Sequence, residues 1–271
     1  MLLREVEYAR PGSVDEAIRL LASNEGARAL AGGQTLVNVM KARAASPDVL
    51  VDLNRLDDLR AISVSGDTLQ LGAMATYTQI MDSSEVEVSR PILAEVAAQI
   101  ADVQVRNRGT IGGNICSNDP TNHLPPLLVA VGASMTIRGE AGERTVPAEE
   151  FFLGVYMTVV GEGELLTSVS VPAAANAADG FASVTIGRDG TCIANAAASL
   201  AGGSPRIALG CVDAVPVLLT PNGTDEESIR KAVADAALDP PSDVHAPADY
   251  RRHLAEVCAV RAVAQAVERG R

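Results

Sequence analysis

The sequence predicts an α+β protein of several lobes. Three observations carry this. Its 271 residues suffice for more than one hydrophobic core. Its N-terminal part interleaves short strand patterns with capped helices, and its C-terminal part runs strands first and helices after. Hydrophobic residues make up 47% and charged residues 21%, a composition that folds throughout.

Ser13-Val14-Asp15-Glu16 fits a capping box, and Ala17, Ile18, Leu20 and Leu21 follow at helical spacing, so a helix is expected to about Gly26. Arg28–Ala31 reads as a strand ending at Gly32-Gly33, with Gln34–Lys41 resuming a helical pattern. Val49–Leu53 and the alternating Thr68–Ala73 are strands, with a new lobe starting between them. Thr76-Tyr77-Thr78-Gln79 repeats the capping logic. Pro91 opens a helix to Ala101 from a first-turn position, and Gly109, Gly112 and Gly113 follow. Leu124–Ala133 is a helix, while Ala133–Arg138 and Glu164–Val171 are strands. Pro172–Gly180 is small and lacks large apolar anchors, as a connection between domains does. Strands Phe181–Ile186, Cys192–Leu200 and Ile207–Val212 then precede helices Asp225–Leu238 and Asp249–Gly270. The expected domains are Met1–Pro172, in two parts meeting near Arg55, and Ala178–Arg271.

With 34 acidic and 22 basic residues the formal charge is −12, which disfavours nucleic acid and anionic membranes as partners. No apolar run approaches the ~20 residues of a membrane helix, and the start lacks a signal core, so a cytoplasmic protein is expected. Cys116, Cys192, Cys211 and Cys258 lack the local spacing of a zinc or iron–sulfur site and read as reduced core thiols. His245 and His253 also lack ligand spacing, and Trp is absent.

Two segments could carry chemistry. In Ala31-Gly32-Gly33-Gln34-Thr35-Leu36, adjacent glycines before a helix expose backbone amides that can seat phosphate oxygens, and Thr35 adds a hydroxyl. Thr110-Ile111-Gly112-Gly113-Asn114 offers the same device later in the chain. Each alone is equally the signature of a tight turn. Together they suit a ligand with two linked phosphates. Neither fits the phosphate loop of nucleotide hydrolases or the Rossmann fingerprint. Arg106 and Arg108 precede the second segment and could steer phosphates, or could be a solvated pair.

These segments, continued by Met40-Lys41, Asp119-Pro120 and Leu124-Pro125-Pro126, resemble the two FAD loops of the medium subunits of the xanthine dehydrogenase and carbon monoxide dehydrogenase family. Pro11–Ala17, Gly163–Leu166 and Tyr250–Leu254 extend the likeness over nearly the whole chain in the family's order. The resemblance implies a two-part FAD domain of the vanillyl-alcohol oxidase type followed by an α+β domain. It implies an oxidoreductase that takes electrons from the [2Fe–2S] clusters of a small subunit, beside a molybdopterin-binding large subunit, and passes them to an external acceptor. By position, Ala31 to Leu36 and Thr110 to Asn114 would hold the FAD pyrophosphate, Asp119 a cofactor hydroxyl, and Leu165 the region of the flavin ring. Relatives commonly carry Asp at His123, a position used to hold the cofactor, and Lys near the ring at Thr185, and some place an aromatic FAD contact at Ile100. An FAD-less docking subunit and a stand-alone flavin oxidoreductase are the alternatives.

Overall fold

In the computed structural model, which describes residues 2–174, 178–187 and 190–271, the polypeptide builds three main β-sheets in succession and one small hairpin. The first part comprises β1 (Glu7–Ala9), α1 (Val14–Ser23), β2 (Arg28–Leu30), α2 (Leu36–Lys41) and β3 (Val49–Asp52). Its strands form a parallel sheet ordered β1-β3-β2. Burial of Val49 and Val51 against Ala17 and Ile18 of α1 sets the register. Ser13 caps α1 by accepting from the Glu16 amide, but the Glu16 carboxylate accepts from Gly12 rather than closing the box on Ser13.

A 3₁₀ turn (Asp57–Arg60) leads to β4 (Ile62–Ser65) and β5 (Thr68–Gly72). A run of short helices follows: α3 (Tyr77–Met81), α4 (Ser84–Ser89), α5 (Ile92–Ala97), α6 (Val103–Arg108), α7 (Ile111–Ser117) and α8 (Leu124–Ala130). Then come β6 (Ser134–Gly139), β7 (Gly142–Pro147), α9 (Ala148–Phe151), the hairpin β8 (Phe152–Gly154) and β9 (Met157–Thr158), and β10 (Leu165–Pro172). The antiparallel sheet β4-β5-β10-β6-β7 buries Leu69, Leu71, Met135, Ile137, Val169 and Val171 under the helices. Thr76 and Gln79 make the full reciprocal cap of α3. Pro91 is the cap residue before α5 rather than a first-turn residue, and that helix stops at Ala97, short of Ala101, whose φ is 45°. A left-handed residue there cannot continue a helix.

The last part is β11 (Asp179–Thr185), β12 (Cys192–Ser199), β13 (Arg206–Gly210), β14 (Val217–Leu219), α10 (Glu226–Asp235) and α11 (Ala248–Arg269). Its four strands pair antiparallel in chain order. Every residue of β12 is buried, because α11 covers one face while α8 covers the other. Small side chains permit this close approach: a Cβ on Gly180 would lie 2.0 Å from the Ala262 carbonyl oxygen of α11.

Part of the segment expected to be an unanchored connection lies outside the described residues, namely Ala175 to Ala177. Its end is anchored. Asp179 is buried in β11 and takes both oxygens of its carboxylate to Arg90, at 2.6 and 2.8 Å. Arg90 also donates to Ser199 Oγ and the Pro172 carbonyl, tying the last sheet to the helices above the second. All four cysteines are free. Cys192, Cys211 and Cys258 meet in the core of the last part, where Asn195 Nδ2 lies 3.5 and 3.3 Å from the first two sulfurs. Arg251 is buried beside them and donates to the Ile193 carbonyl and Asp243.

Candidate functional site

The chain leaves β2 at Leu30 and turns through Ala31 to Thr35 before α2 begins. Gly33 adopts φ 72°, a left-handed conformation that a residue with a Cβ rarely takes. The turn leaves a row of amides without acceptors. Among the described residues no acceptor meets the N–H groups of Gly32, Gly33, Gln34, Thr35 or Leu36. Gln34 folds its side chain back to donate to the Gly32 carbonyl, Asn38 donates to the Gln34 carbonyl, and the Thr35 hydroxyl makes no cap bond. Five consecutive free donors at the start of a helix form a nest for an anion.

The second glycine segment touches this turn. A Cβ on Gly32 would lie 1.9 Å from the Arg108 carbonyl oxygen, and one on Gly113 would lie 3.7 Å from Ala31 Cβ. The two segments therefore converge, as a ligand seated between them requires.

They are not alike, which corrects the expectation of two open nests. Gly112 and Gly113 lie in the first turn of α7, and every amide there is already bonded within the protein. Ile111 N–H donates to the Ala75 carbonyl at 3.0 Å, and Gly112 N–H to Ala73 at 2.8 Å. Gly113 N–H donates to Thr110 Oγ1 at 3.0 Å, and Asn114 N–H to the Thr110 carbonyl at 3.0 Å. The glycines serve close approach: a Cβ on Gly112 would lie 2.6 Å from the Ala73 carbonyl oxygen. Ile111 is a core residue, and Asn114 is buried against Tyr77. Burial pushes the Tyr77 hydroxyl up to about 12, with its Asn114 hydrogen bond working the other way.

Four other expected residues lie as follows. Asp119 is a turn residue whose Oδ1 accepts from the Thr121 amide and hydroxyl, and whose Oδ2 faces the Tyr156 hydroxyl at 3.3 Å. His123 is neither solvent-facing nor open to a ligand. It is 7% exposed, its ring lies 5.4 Å from that of Phe181 in β11, and its buried Nε2 has no partner among the described residues. Burial drops its pKa from 6.5 to about 4, so the ring is neutral near pH 7 and supplies no positive charge. Leu165 is 5% exposed and sits in the first core with Ile18, Val51 and Met74, where it supports the site by packing. Thr185 ends β11 and donates to the Gly187 carbonyl at 3.0 Å, with no hydrogen bond to either glycine segment.

Ile100 is buried at the edge of the second core, and its carbonyl accepts from Arg106, so that arginine holds the α5–α6 turn. A small pocket lined by Asn118, Asp119, Asn122, Gly210, Cys211 and Asp213 has a volume of about 10 Å³, room for one water and not for a dinucleotide. The nest itself is half-exposed. No group of metal-ligating side chains occurs among the described residues, and no helix there is long and apolar enough to cross a membrane.

Residues 4–174 match the family described as FAD binding domain in molybdopterin dehydrogenase. The chain is 38% identical to the carbon monoxide dehydrogenase medium chain of Hydrogenophaga pseudoflava, covering 97% of each. It superposes on reconstituted CO dehydrogenase from Oligotropha carboxidovorans with TM-score 0.94 and 35% identity, covering 99% of this chain and 100% of that one. Quinoline 2-oxidoreductase from Pseudomonas putida 86 gives TM-score 0.91 at 33% identity, covering 100% and 99%. The fold and site define an FAD-binding oxidoreductase subunit. The chain belongs to the FAD-binding medium subunits of the molybdenum hydroxylase family, of the carbon monoxide dehydrogenase type.

Proposed function

We propose that this chain is the electron-transferring flavoprotein of its complex, receiving electrons from [2Fe–2S] clusters of a small subunit and delivering them to an external acceptor. Its other partner would be a molybdopterin-binding large subunit. The names of its relatives, medium chain and medium subunit, support such an assembly. FAD supplies the redox chemistry when bound. This chain's part is to bind and orient it, and the observation that carries the reading is the row of five unpartnered amides from Gly32 to Leu36. These N–H groups, with the Thr35 hydroxyl, would hold the diphosphate. Arg108, Gly109 and Gly113 would close its far side as backbone, and Thr110, Ile111, Gly112 and Asn114 would keep that wall in place.

Under this proposal residues 1–172 form the FAD domain in two parts and 178–271 the second domain. Ala31 and Leu36 would frame the nest, Asp119 would order the loop after α7, and His123, Leu165 and Thr185 would act through packing rather than contact. The free thiols fit a cytoplasmic location. The open nest favours a flavin carrier over an FAD-less docking subunit.

The test is a visible absorption spectrum of the chain co-expressed with its neighbouring subunits. Flavin and iron–sulfur bands that co-purify in one complex support the proposal. A colourless chain whose melting temperature does not move with added FAD refutes it.

A further inference from the structure

We propose that Asn54 and Arg60 are positioning residues, a polar brace that fixes the gap between the open nest and the second glycine segment and so sets the seat of the diphosphate. This rests on the FAD reading above. Asn54 follows β3 and donates through Nδ2 to the Ala31 carbonyl at 2.9 Å, at the entrance of the nest. The same nitrogen donates to Asp52 Oδ1 at 2.6 Å, as the Asn54 backbone N–H does at 2.9 Å. On its other side, Asn54 presents its carbonyl and Oδ1 to Arg60 Nη2, at 3.1 and 3.4 Å.

Arg60 then reaches across with Nη1 to the Met74 carbonyl at 3.4 Å. Met74 lies between the two carbonyls on which the second segment hangs, those of Ala73 and Ala75. A continuous polar path therefore runs from Ala31 through Asn54, Arg60 and Met74 to the strand end that holds Ile111 and Gly112. The direct contact of Gly32 with Arg108 closes it into a ring. Asp52 anchors the ring from below. Burial works against its charge, yet hydrogen bonds from Tyr8 and Asn54 hold its carboxyl below the usual range.

The chemistry of the brace demands an amide at position 54. One end must donate to two oxygens, and the other must accept from a guanidinium. Aspartate has the same shape and the wrong polarity, since it would set acceptors against the Ala31 carbonyl and the Asp52 carboxylate. Lysine at position 60 keeps the charge but loses the planar fork that reaches both Asn54 and Met74.

The experiment titrates the full chain with FAD, and separately with ADP, which carries the diphosphate but no ring. Three variants are compared with wild type: Asn54→Asp, Arg60→Lys, and Ile229→Val, which thins the core of the last part without touching the brace. Asn54→Asp should weaken FAD and ADP by the same factor, about tenfold or more. Arg60→Lys should shift both in the same direction, and Ile229→Val should leave both affinities in place while lowering the melting temperature. Should Asn54→Asp not fold, Arg60→Lys decides. A wild-type chain that takes up no FAD ends the flavoprotein reading itself. If wild type binds FAD and the brace variants bind equally well, or if affinity merely tracks melting temperature across all three, the brace is wrong.

Discussion

Replacing Arg90 by Met should destabilise the chain far more than any surface ion-pair deletion. Arg90 is 1% exposed and Asp179 is 2% exposed, and the guanidinium makes four hydrogen bonds, to both Asp179 oxygens, Ser199 Oγ and the Pro172 carbonyl. Arg90→Met leaves a carboxylate sealed without a partner, together with two other polar oxygens. Loss of one member of a buried pair costs about 3–5 kcal/mol. At roughly 2–4 °C per kcal/mol for a chain of this size, the melting temperature should fall by about 6–20 °C. Lys231→Ala, which breaks an exposed pair with Asp235, should change almost nothing. The assay is thermal and urea unfolding of wild type, Arg90→Met, Asp179→Leu and the double variant. The double variant removes both charges and should recover most of the loss, because an apolar pair of similar volume is often neutral or better. Additive losses in the double variant, or a single-variant loss below about 1 kcal/mol, would refute the reasoning.

Three further outcomes follow from the same geometry. Gly32→Ala places a Cβ 1.9 Å from the Arg108 carbonyl oxygen, which must force the two glycine segments apart. An overpacking cost of about 1–3 kcal/mol implies roughly 5- to 150-fold weaker FAD binding, read by flavin titration, and unchanged affinity would contradict the contact. His123 has a folded pKa of about 4 against 6.5 when free, so the unfolded chain binds the extra proton between those values. Its contribution is therefore complete above pH 6.5 and is lost as pH falls towards 4, at roughly 1.4 kcal/mol per pH unit. Urea unfolding across that window should show a shallower slope in His123→Phe. Burial also pushes the Cys116 and Cys258 thiols up to about 12. A thiol reagent at pH 8 should thus leave Cys116 and Cys258 nearly unlabelled in the native chain and modify all 4 cysteines after denaturation.

What could be read in the sequence was local. The Ser13 cap, the Thr76 capping box and the strand–glycine–helix order of Arg28 to Lys41 depend on neighbours a few residues apart, and each appears in the fold. What escaped was set by distant partners. β1 is a three-residue strand with little apolar pattern and exists because β3 pairs with it in parallel. Asp179 sits in a run of small residues that suggests a slack connection, and only Arg90, remote in sequence, makes it an anchor. The meeting of Cys192, Cys211 and Cys258 has no short spacing to announce it, and His123 is buried against Phe181 of β11, far along the chain. Asn54 and Arg60 carry no motif at all.

The two glycine segments show why such signals need structure to separate them. Glycine is selected for two different physical reasons, a left-handed backbone or the absence of a Cβ, and the letter is the same in both. At Gly33 the first reason holds, with φ of 72° in a turn whose amides have no acceptor. At Gly112 the second holds, because the Ala73 carbonyl occupies the space of a side chain and takes its amide. Helix α7 forms despite poor helix formers in its first turn because Thr110 caps it and the Ala73 and Ala75 carbonyls accept its free donors. A site built from one open nest and one self-satisfied wall follows. Under the proposed function the open side would give its unmet hydrogen bonds to a diphosphate, while the wall's own hydrogen bonds are already complete. On the same proposal the spacing between them would set the seat, and Asn54 and Arg60, outside both motifs, would hold that spacing.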